Sequence, residues 1–357
     1  MEATETLFPR VEDAEPHSIA DWERDGAAGI DSPGIEGEEL RESVEHALAR
    51  LGSDGPPIVA MHRRGFAGQT SYVVEIVTVE LASGDQLEIF VKDFGRSRLP
   101  KDGAARRRER ELRVYRDLLH DHDLGTARFY GARWDEAGAR FWIMLELVKG
   151  RPLNRCGFEH WLQAAAWLGR LHGRFAAQPD RLRGCGFLLL HDAAYFVHEA
   201  ERAMRAVCGL SGALSQRLAS VLEGYDRIVA VLSRDPETLV HGSFRPQNVL
   251  VVRASDPPRV CPTDWELAAF GRSTHDLAFV CDGFPPPRVD ALLDAYARER
   301  EMAGLPARKR DELQHEVDCF RLHKTVSSLG HLDRWEHPGE TAAKVVGAAE
   351  EIAASLR

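Results

Sequence analysis

The sequence predicts an α+β fold in two lobes, the first an antiparallel β-sheet carrying one helix and the second mainly helical. Three observations lead there. Between residues 57 and 147 apolar residues recur at every second position in five short runs; past Gly150-Arg151-Pro152 they recur at helical spacing; and one strand-loop-strand stretch, 238–264, interrupts the helices.

Residues 1–37 mix acidic residues with Gly and Pro without periodicity, which reads as a flexible acidic leader ahead of a helix over 38–51. Strands follow at 58–62, 72–81 and 87–92, the second and third joined by the turn Ser83-Gly84-Asp85. A charge-rich helix spans 104–119, and two further strands, 127–134 and 140–147, flank the turn Asp135-Glu136-Ala137-Gly138. These assignments place a first lobe at 38–148 and a second lobe at 149–357. In the latter, Trp161, Ala165, Leu168, Leu171 and Phe175 mark one amphipathic helix, and similar patterns cover 194–207, 214–232, 288–302 and 309–329.

With 357 residues, 44% of them hydrophobic, the chain can bury a sizeable core. A formal charge of −10 opposes general nucleic-acid binding and retention on anionic lipid, and tolerates a cationic substrate. The six cysteines are scattered with no C-x-x-C pair, as in a reducing cytoplasm. The N-terminus is acidic where a signal peptide is basic and then apolar, and no run approaches the roughly 20 apolar residues of a membrane span. The expectation is a cytoplasmic protein without a membrane partner.

The most informative residues lie at 239–266. Leu-Val-His241-Gly242-Ser243-Phe244-Arg245-Pro246-Gln247-Asn248 leads into an apolar run, and Pro262-Thr263-Asp264-Trp265-Glu266 follows it. This pattern resembles the aminoglycoside phosphotransferase and choline kinase family, of protein-kinase-like fold, whose catalytic loop H-G-D-x-x-x-x-N precedes a D-W-E metal triplet. Downstream, Gly271 and Thr274-His275-Asp276-Leu277-Ala278 resemble the family's G-x-x-x-x-D-L-A segment, whose aspartate, matched by Asp276, ties the catalytic loop to a helix N-terminus.

The resemblance implies ATP (or GTP) and Mg²⁺ as cofactors, with Asn248 and Asp264 as the hard oxygen ligands that magnesium prefers and His241 as the brace of the loop. In the first lobe it implies a phosphate-covering loop over 63–71, with Gly65, Gly68, Thr70 and Ser71 approaching phosphate oxygens; a plain hairpin turn is the alternative. It makes Lys92 the phosphate-contacting lysine and Glu111 its carboxylate partner, with Glu109 as the fallback. Glu146 and Val148 are the implied main-chain contacts to the base. Arg106, Arg107, Arg108, Arg110 and Arg113 read as a solvated helix face with i, i+4 charge pairs.

Ser243 stands where the family has its catalytic aspartate, and a serine cannot accept a proton as a carboxylate does. A nucleophilic Ser243 activated by His241 is not supported, because the G-x-S-x-G elbow is absent. Two functions follow from the resemblance. One is a phosphotransferase acting on a hydroxyl of a small molecule such as an amino sugar, or of a peptide Ser or Thr. The other is a pseudokinase, a nucleotide- or peptide-binding partner protein without transfer. Asp282, Asp290, Asp294, Asp333 and Glu336 are candidates for an acidic site facing a cationic acceptor, against the plainer reading of a solvated surface. The histidines at 275, 315, 323, 331 and 337 are too irregularly spaced for zinc.

Overall fold

A computed structural model describes residues 37–49, 57–66, 71–98, 101–120 and 123–356. The expected acidic leader, apart from Gly37, and the stretch holding Gly68 and Thr70 lie outside the described residues. The described chain divides into two compact units, one of residues 37–150 with Cys261–Glu266 and the other of Arg151–Val260 with the chain from Leu267 onward. The sequence-based boundary leaves residues 261–266 in the second lobe, whereas their packing groups them with the first unit.

In the first unit, α1 (Gly37–Ala49) precedes three antiparallel strands, β1 (Ile58–Gly65), β2 (Tyr72–Leu81) and β3 (Gln86–Ser97). Then come α2 (Ala104–Arg113), continued by a π-helical stretch at Val114–Leu119, and strands β4 (Phe129–Asp135) and β5 (Arg140–Glu146). The sheet order is β1-β2-β3-β5-β4. Strand β3 runs five residues beyond the expected end at Lys92, its polar Asp93, Arg96 and Ser97 hiding the period-two signal.

The alternation of strand side chains decides what each face of this sheet does. Val77, Val79, Ile89 and Val91 point to one face, where Leu40, Val44 and Ala47 of α1 complete an apolar core with Tyr130, Trp142 and Met144. Lys92, one residue on from Val91, therefore points to the opposite face. There it meets Glu111 of α2.

The second unit is mostly helical. Its helices are α3 (Phe158–Ala176), α4 (Pro179–Arg183), α5 (Ala193–Leu210), α6 (Gly212–Leu222), α7 (Tyr225–Leu232), α8 (Thr274–Val280), α9 (Pro286–Met302), α10 (Arg310–Ser328) and α11 (Pro338–Ser355). The single helix expected over 214–232 is broken at Gly224, whose φ of 72° starts a new helix in a left-handed conformation. Helices α5, α6, α7, α10 and α11 enclose an apolar core around Phe196, Leu218, Phe320, Val326 and Val346.

Two small three-stranded sheets carry the interruption. One has the order β10 (Arg259–Pro262), β9 (Val249–Val252), β6 (Arg151–Pro152); the other has the order β7 (Leu189–Leu190), β11 (Ala269–Gly271), β8 (Thr238–Val240). These pairings between distant two- to four-residue segments carry no period of their own in the sequence. No helix among the described residues is long and apolar enough to cross a membrane.

Helices α3 and α9 approach closely because Gly169 offers no side chain. A Cβ there would lie 2.5 Å from the carbonyl oxygen of Tyr296 and 2.7 Å from Cβ of Glu299. That approach sets His172 of α3 beside Tyr296, with Nδ1 at 3.2 Å from the phenol oxygen.

Candidate active site

The first unit assembles a buried charge cluster. Lys92 Nζ donates to both carboxylate oxygens of Glu111, at 2.9 and 2.7 Å, and to Oδ1 of Asp264 at 3.1 Å. Burial alone lowers the affinity of the Lys92 amine for its proton, but the charges of Glu111 and then Asp264 outweigh that and hold it above the ordinary lysine range. Lys92 is thus a fixed cation. Burial pushes the Glu111 carboxyl up to about 7 against the pull of the Lys92 ammonium, with Asp264 adding to the rise.

Glu111, rather than Glu109, is the partner of Lys92. Glu109 faces outward between Arg106 at 3.6 Å and Arg113 at 3.5 Å.

Asp264 follows β10 with φ at 66°, a left-handed conformation that aspartate tolerates better than most residues. The next residue, Trp265, is fully buried and its indole Nε1 donates to the carbonyl of Pro262, which anchors the triplet. The carboxylates of Glu111, Asp264 and Glu266 bring oxygens within 4.8 Å of one another. All three meet cations: Glu111 and Asp264 share Lys92, and Glu266 is held by Lys101 at 2.5 Å and Arg107 at 3.0 Å. Asp264, with 38% of its side chain exposed, is the one turned toward solvent.

Lys101 and Arg107 thus hold Glu266. These contacts correct one expectation: the arginines of α2 are not uniformly a solvated face. Arg107 reaches Glu266, Arg110 donates to the main-chain carbonyl of Glu266 at 2.5 Å, and Arg108 lies 3.5 Å above the Phe141 ring. Arg106 and Arg113 keep the expected surface pairs. The inward arginines were missed because a charge run reads as surface until its carboxylate partner, here about 160 residues away in sequence, is known.

The second unit builds the loop of residues 241–248. Gly242 takes φ 78°, and a Cβ at this position would sit 1.9 Å from the carbonyl oxygen of Leu267. The fully buried Asp276, in the first turn of α8, accepts from the backbone N–H of His241 at 2.6 Å and of Gly242 at 3.1 Å. His172 Nε2 and His275 Nδ1 contact the same carboxylate at 3.4 and 3.3 Å. His241 is fully buried, its Nδ1 accepts from Ser243 N at 3.3 Å, and its ring meets Phe244 edge-on. Phe244 in turn stacks on Trp167 of α3. Asn248 Nδ2 donates to the carbonyl of Ser243 at 3.2 Å, which orients the amide, and Ser243 itself is 9% exposed. His172 and Tyr296 support the loop from α3 and α9, and neither stood out in the sequence because nothing local marks a contact 124 residues apart.

Burial would raise Asp276, but the hydrogen bonds from His172 and His275, and their charges, hold its carboxyl far below the usual range. A depressed acid stabilises the fold fully above its unfolded value of 3.8, and that contribution is lost as the pH falls below it. Asp276→Asn is therefore expected to cost about 2–4 kcal/mol at pH 7. The gap to the parent should narrow between pH 5 and pH 3 in urea titrations; a gap that stays constant over that range would remove the charged anchor.

Of the expected nucleotide contacts, Gly65 ends β1 and Ser71 precedes β2, its carbonyl accepting from Arg98 N at 2.8 Å. The Glu146 N–H donates to Arg128 O at 2.9 Å and the Val148 carbonyl accepts from Gly150 N at 3.0 Å, so these two main-chain groups are committed within the protein.

The sequence matches the model of the phosphotransferase enzyme family over residues 67–311, more than half of the chain. The chain belongs to this family. Solved structures share the phosphotransferase architecture at low identity. The GDP complex of wild-type aminoglycoside 2'-phosphotransferase-IIIa is 15% identical, with 90% of this chain and 99% of that one covered and a TM-score of 0.60. The choline kinase of Cryptosporidium parvum Iowa II is 11% identical, covering 83% and 90%, with a TM-score of 0.57. The microcompartment-associated aminopropanol kinase is 14% identical, covering 87% and 95%, with a TM-score of 0.58. No curated protein matches the sequence. The α+β, protein-kinase-like fold expected from the catalytic-loop motif is the fold of this phosphotransferase family.

Proposed function

We propose that the chain binds a nucleoside triphosphate with Mg²⁺ and transfers the γ-phosphoryl group to a hydroxyl of a small molecule, slowly because Ser243 replaces the usual base. The observation that carries this reading is the Lys92–Glu111–Asp264 cluster, a cation and an outward carboxylate held in fixed positions by buried contacts. Lys92 is suited to phosphate oxygens, and its ammonium costs no reorganisation because Glu111 already orients it. Asp264 would offer a hard oxygen of the kind magnesium requires, and the family resemblance assigns another to Asn248, whose amide is oriented by the Ser243 carbonyl. Bound magnesium would neutralise charge on the transferring phosphate.

In the transfer, the bond from the γ-phosphorus to its bridging oxygen breaks as the acceptor oxygen bonds to phosphorus. The nucleoside diphosphate leaves. The acceptor proton goes to an oxygen of the transferred phosphoryl group, because Ser243 is not a base and Glu266 is held by Lys101 and Arg107. A second reading, a binding protein without transfer, is favoured by Ser243 alone.

Calorimetric titration of Mg-ATP and Mg-GTP, followed by labelled γ-phosphate transfer, tests both readings. Ser243→Asp is expected to raise the transfer rate by about 10²–10⁴. Magnesium-dependent nucleotide binding without transfer, in the parent and in Ser243→Asp alike, would favour the binding protein. No nucleotide binding would end both readings.

A further inference from the structure

Away from the candidate active site, the second unit holds a cluster of arginines around Glu316 of α10. The Glu316 carboxylate is met by Arg272 Nη2 at 2.8 and 2.9 Å, by Arg308 Nη2 at 2.5 Å and by Thr274 Oγ1 at 3.1 Å, with Arg234 Nη1 at 3.8 Å. A second carboxylate, Glu237, lies 3.6 Å from Arg272 Nη1 and accepts from Ser273 N at 3.1 Å. Burial would raise both acids, but Arg308 and Arg272 hold Glu316, and Arg272 and then Ser273 hold Glu237, below the ordinary carboxylate range. Both carboxylates are therefore occupied. Arg272 and Arg308 balance them, and Arg234 sits in a largely exposed position.

Arg300, in the last turn of α9, is a further buried cation with no carboxylate to itself. It is 6% exposed, its enclosed Nε has no hydrogen-bond partner, and its guanidinium enters no ion pair among the described residues. The side chain runs back one turn to Tyr296, with Cζ 5.8 Å from the centre of that fully buried ring. Burial raises the Tyr296 phenol; the charge of Arg300 opposes the rise, Glu237 adds to it, and the Ser273 hydroxyl and Arg308 oppose it, so all four groups act on the one hydroxyl. Arg272 Nε and Arg308 Nη1 are also enclosed without a hydrogen-bond partner among the described residues. A buried N–H that lacks an acceptor costs its full desolvation, and more when the group is charged. An oxyanion relieves that cost, and its several acceptor oxygens suit the fork of a guanidinium.

We propose that a small inorganic oxyanion, phosphate or sulfate, binds against Arg300 beside Tyr296, with Arg308 as its second cation. The burial of Arg300 and Tyr296 restricts the ligand to this size. The site belongs wholly to the second unit, whereas Lys92, Glu111 and Asp264 belong to the first, and it does not rest on phosphoryl transfer. Its occupancy bears on the loop of residues 241–248. The Tyr296 hydroxyl lies 3.2 Å from His172 Nδ1, His172 Nε2 lies 3.4 Å from Asp276, and Asp276 accepts from the N–H groups of His241 and Gly242. An anion that fixes Tyr296 steadies those two amides.

Inorganic phosphate, compared with chloride at equal ionic strength, is the probe. The full-length protein, dialysed free of phosphate, should bind phosphate in calorimetry, unfold at a higher temperature with it, and exchange the amide hydrogens of His241 and Gly242 more slowly. Arg300→Met should weaken binding at least about tenfold and, because it removes a buried charge without a counter-ion, unfold no earlier than the parent in phosphate-free buffer. Arg300→Lys keeps the charge without the fork and should retain part of the affinity. A parent that binds no phosphate would overturn the inference. So would binding that survives Arg300→Met and is lost in Lys92→Met, which would place the ion in the first unit. An Arg300→Met variant that unfolds well before the parent in phosphate-free buffer would show Arg300 already satisfied by the protein and its water, and would overturn it as well.

Discussion

Asp264→Asn is expected to lower phosphoryl transfer on the order of 10³-fold while leaving the folded protein as stable as its parent, or more so. Asparagine keeps the shape and tolerates the φ of 66°, so the variant removes charge without adding backbone strain. Asp264 is one of three carboxylates crowded within 4.8 Å, and its charge opposes ionisation of the buried Glu111. Neutralising it relieves that repulsion while Lys92 keeps Glu111 as its partner. The magnesium dependence of nucleotide binding should disappear with the charge. Calorimetry with and without magnesium, and thermal unfolding of both proteins, check the two halves. A variant that loses stability by more than about 2 kcal/mol and keeps magnesium-dependent binding would make Asp264 a structural residue.

Gly242→Ala should be strongly destabilising for a single-methyl change in the second unit, at about 2–5 kcal/mol. A left-handed conformation costs a non-glycine residue about 1–2 kcal/mol, and forcing an atom into a packed site adds about 1–3 kcal/mol. The obstacle is the main-chain carbonyl of Leu267, 1.9 Å from where the Cβ would lie, and a carbonyl in a packed loop cannot swing aside like a flexible side chain. Any shift of Gly242 also pulls its N–H, and that of His241, away from Asp276. Urea denaturation measures the loss. A cost under about 1 kcal/mol would mean that the loop does not hold this backbone conformation.

The contrast between these residues shows what was legible in the sequence. Asp264 and Gly242 both belong to a motif whose spacing is local, so neighbouring residues alone mark their positions. Lys92 and Glu111 were legible through the family resemblance, from their places at the end of the third strand and on the helix that follows; the period-two alternation of the strand then explains why Lys92 points away from Val91. Lys101, Arg107 and Arg110 were not. Their partner, Glu266, is about 160 residues away, and a run of arginines looks the same in sequence whether it meets water or a buried carboxylate. The same limit hid the ion pairing of Asp282, whose carboxylate looks available to a cationic ligand in the sequence and is held by Lys324 in the fold.

The sequence by itself determined the two-lobed α+β class and marked the motifs at 241–248 and 264–266, with serine at 243, because periodicity and motif spacing are properties of neighbouring residues. Only the tertiary structure decided which charges are spent on one another. It matched Glu266 to Lys101 and Arg107, tied Asp276 to the loop backbone and paired Asp282 with Lys324. Coulomb energy depends on distance through space and on burial, and neither is written in the distance along the chain.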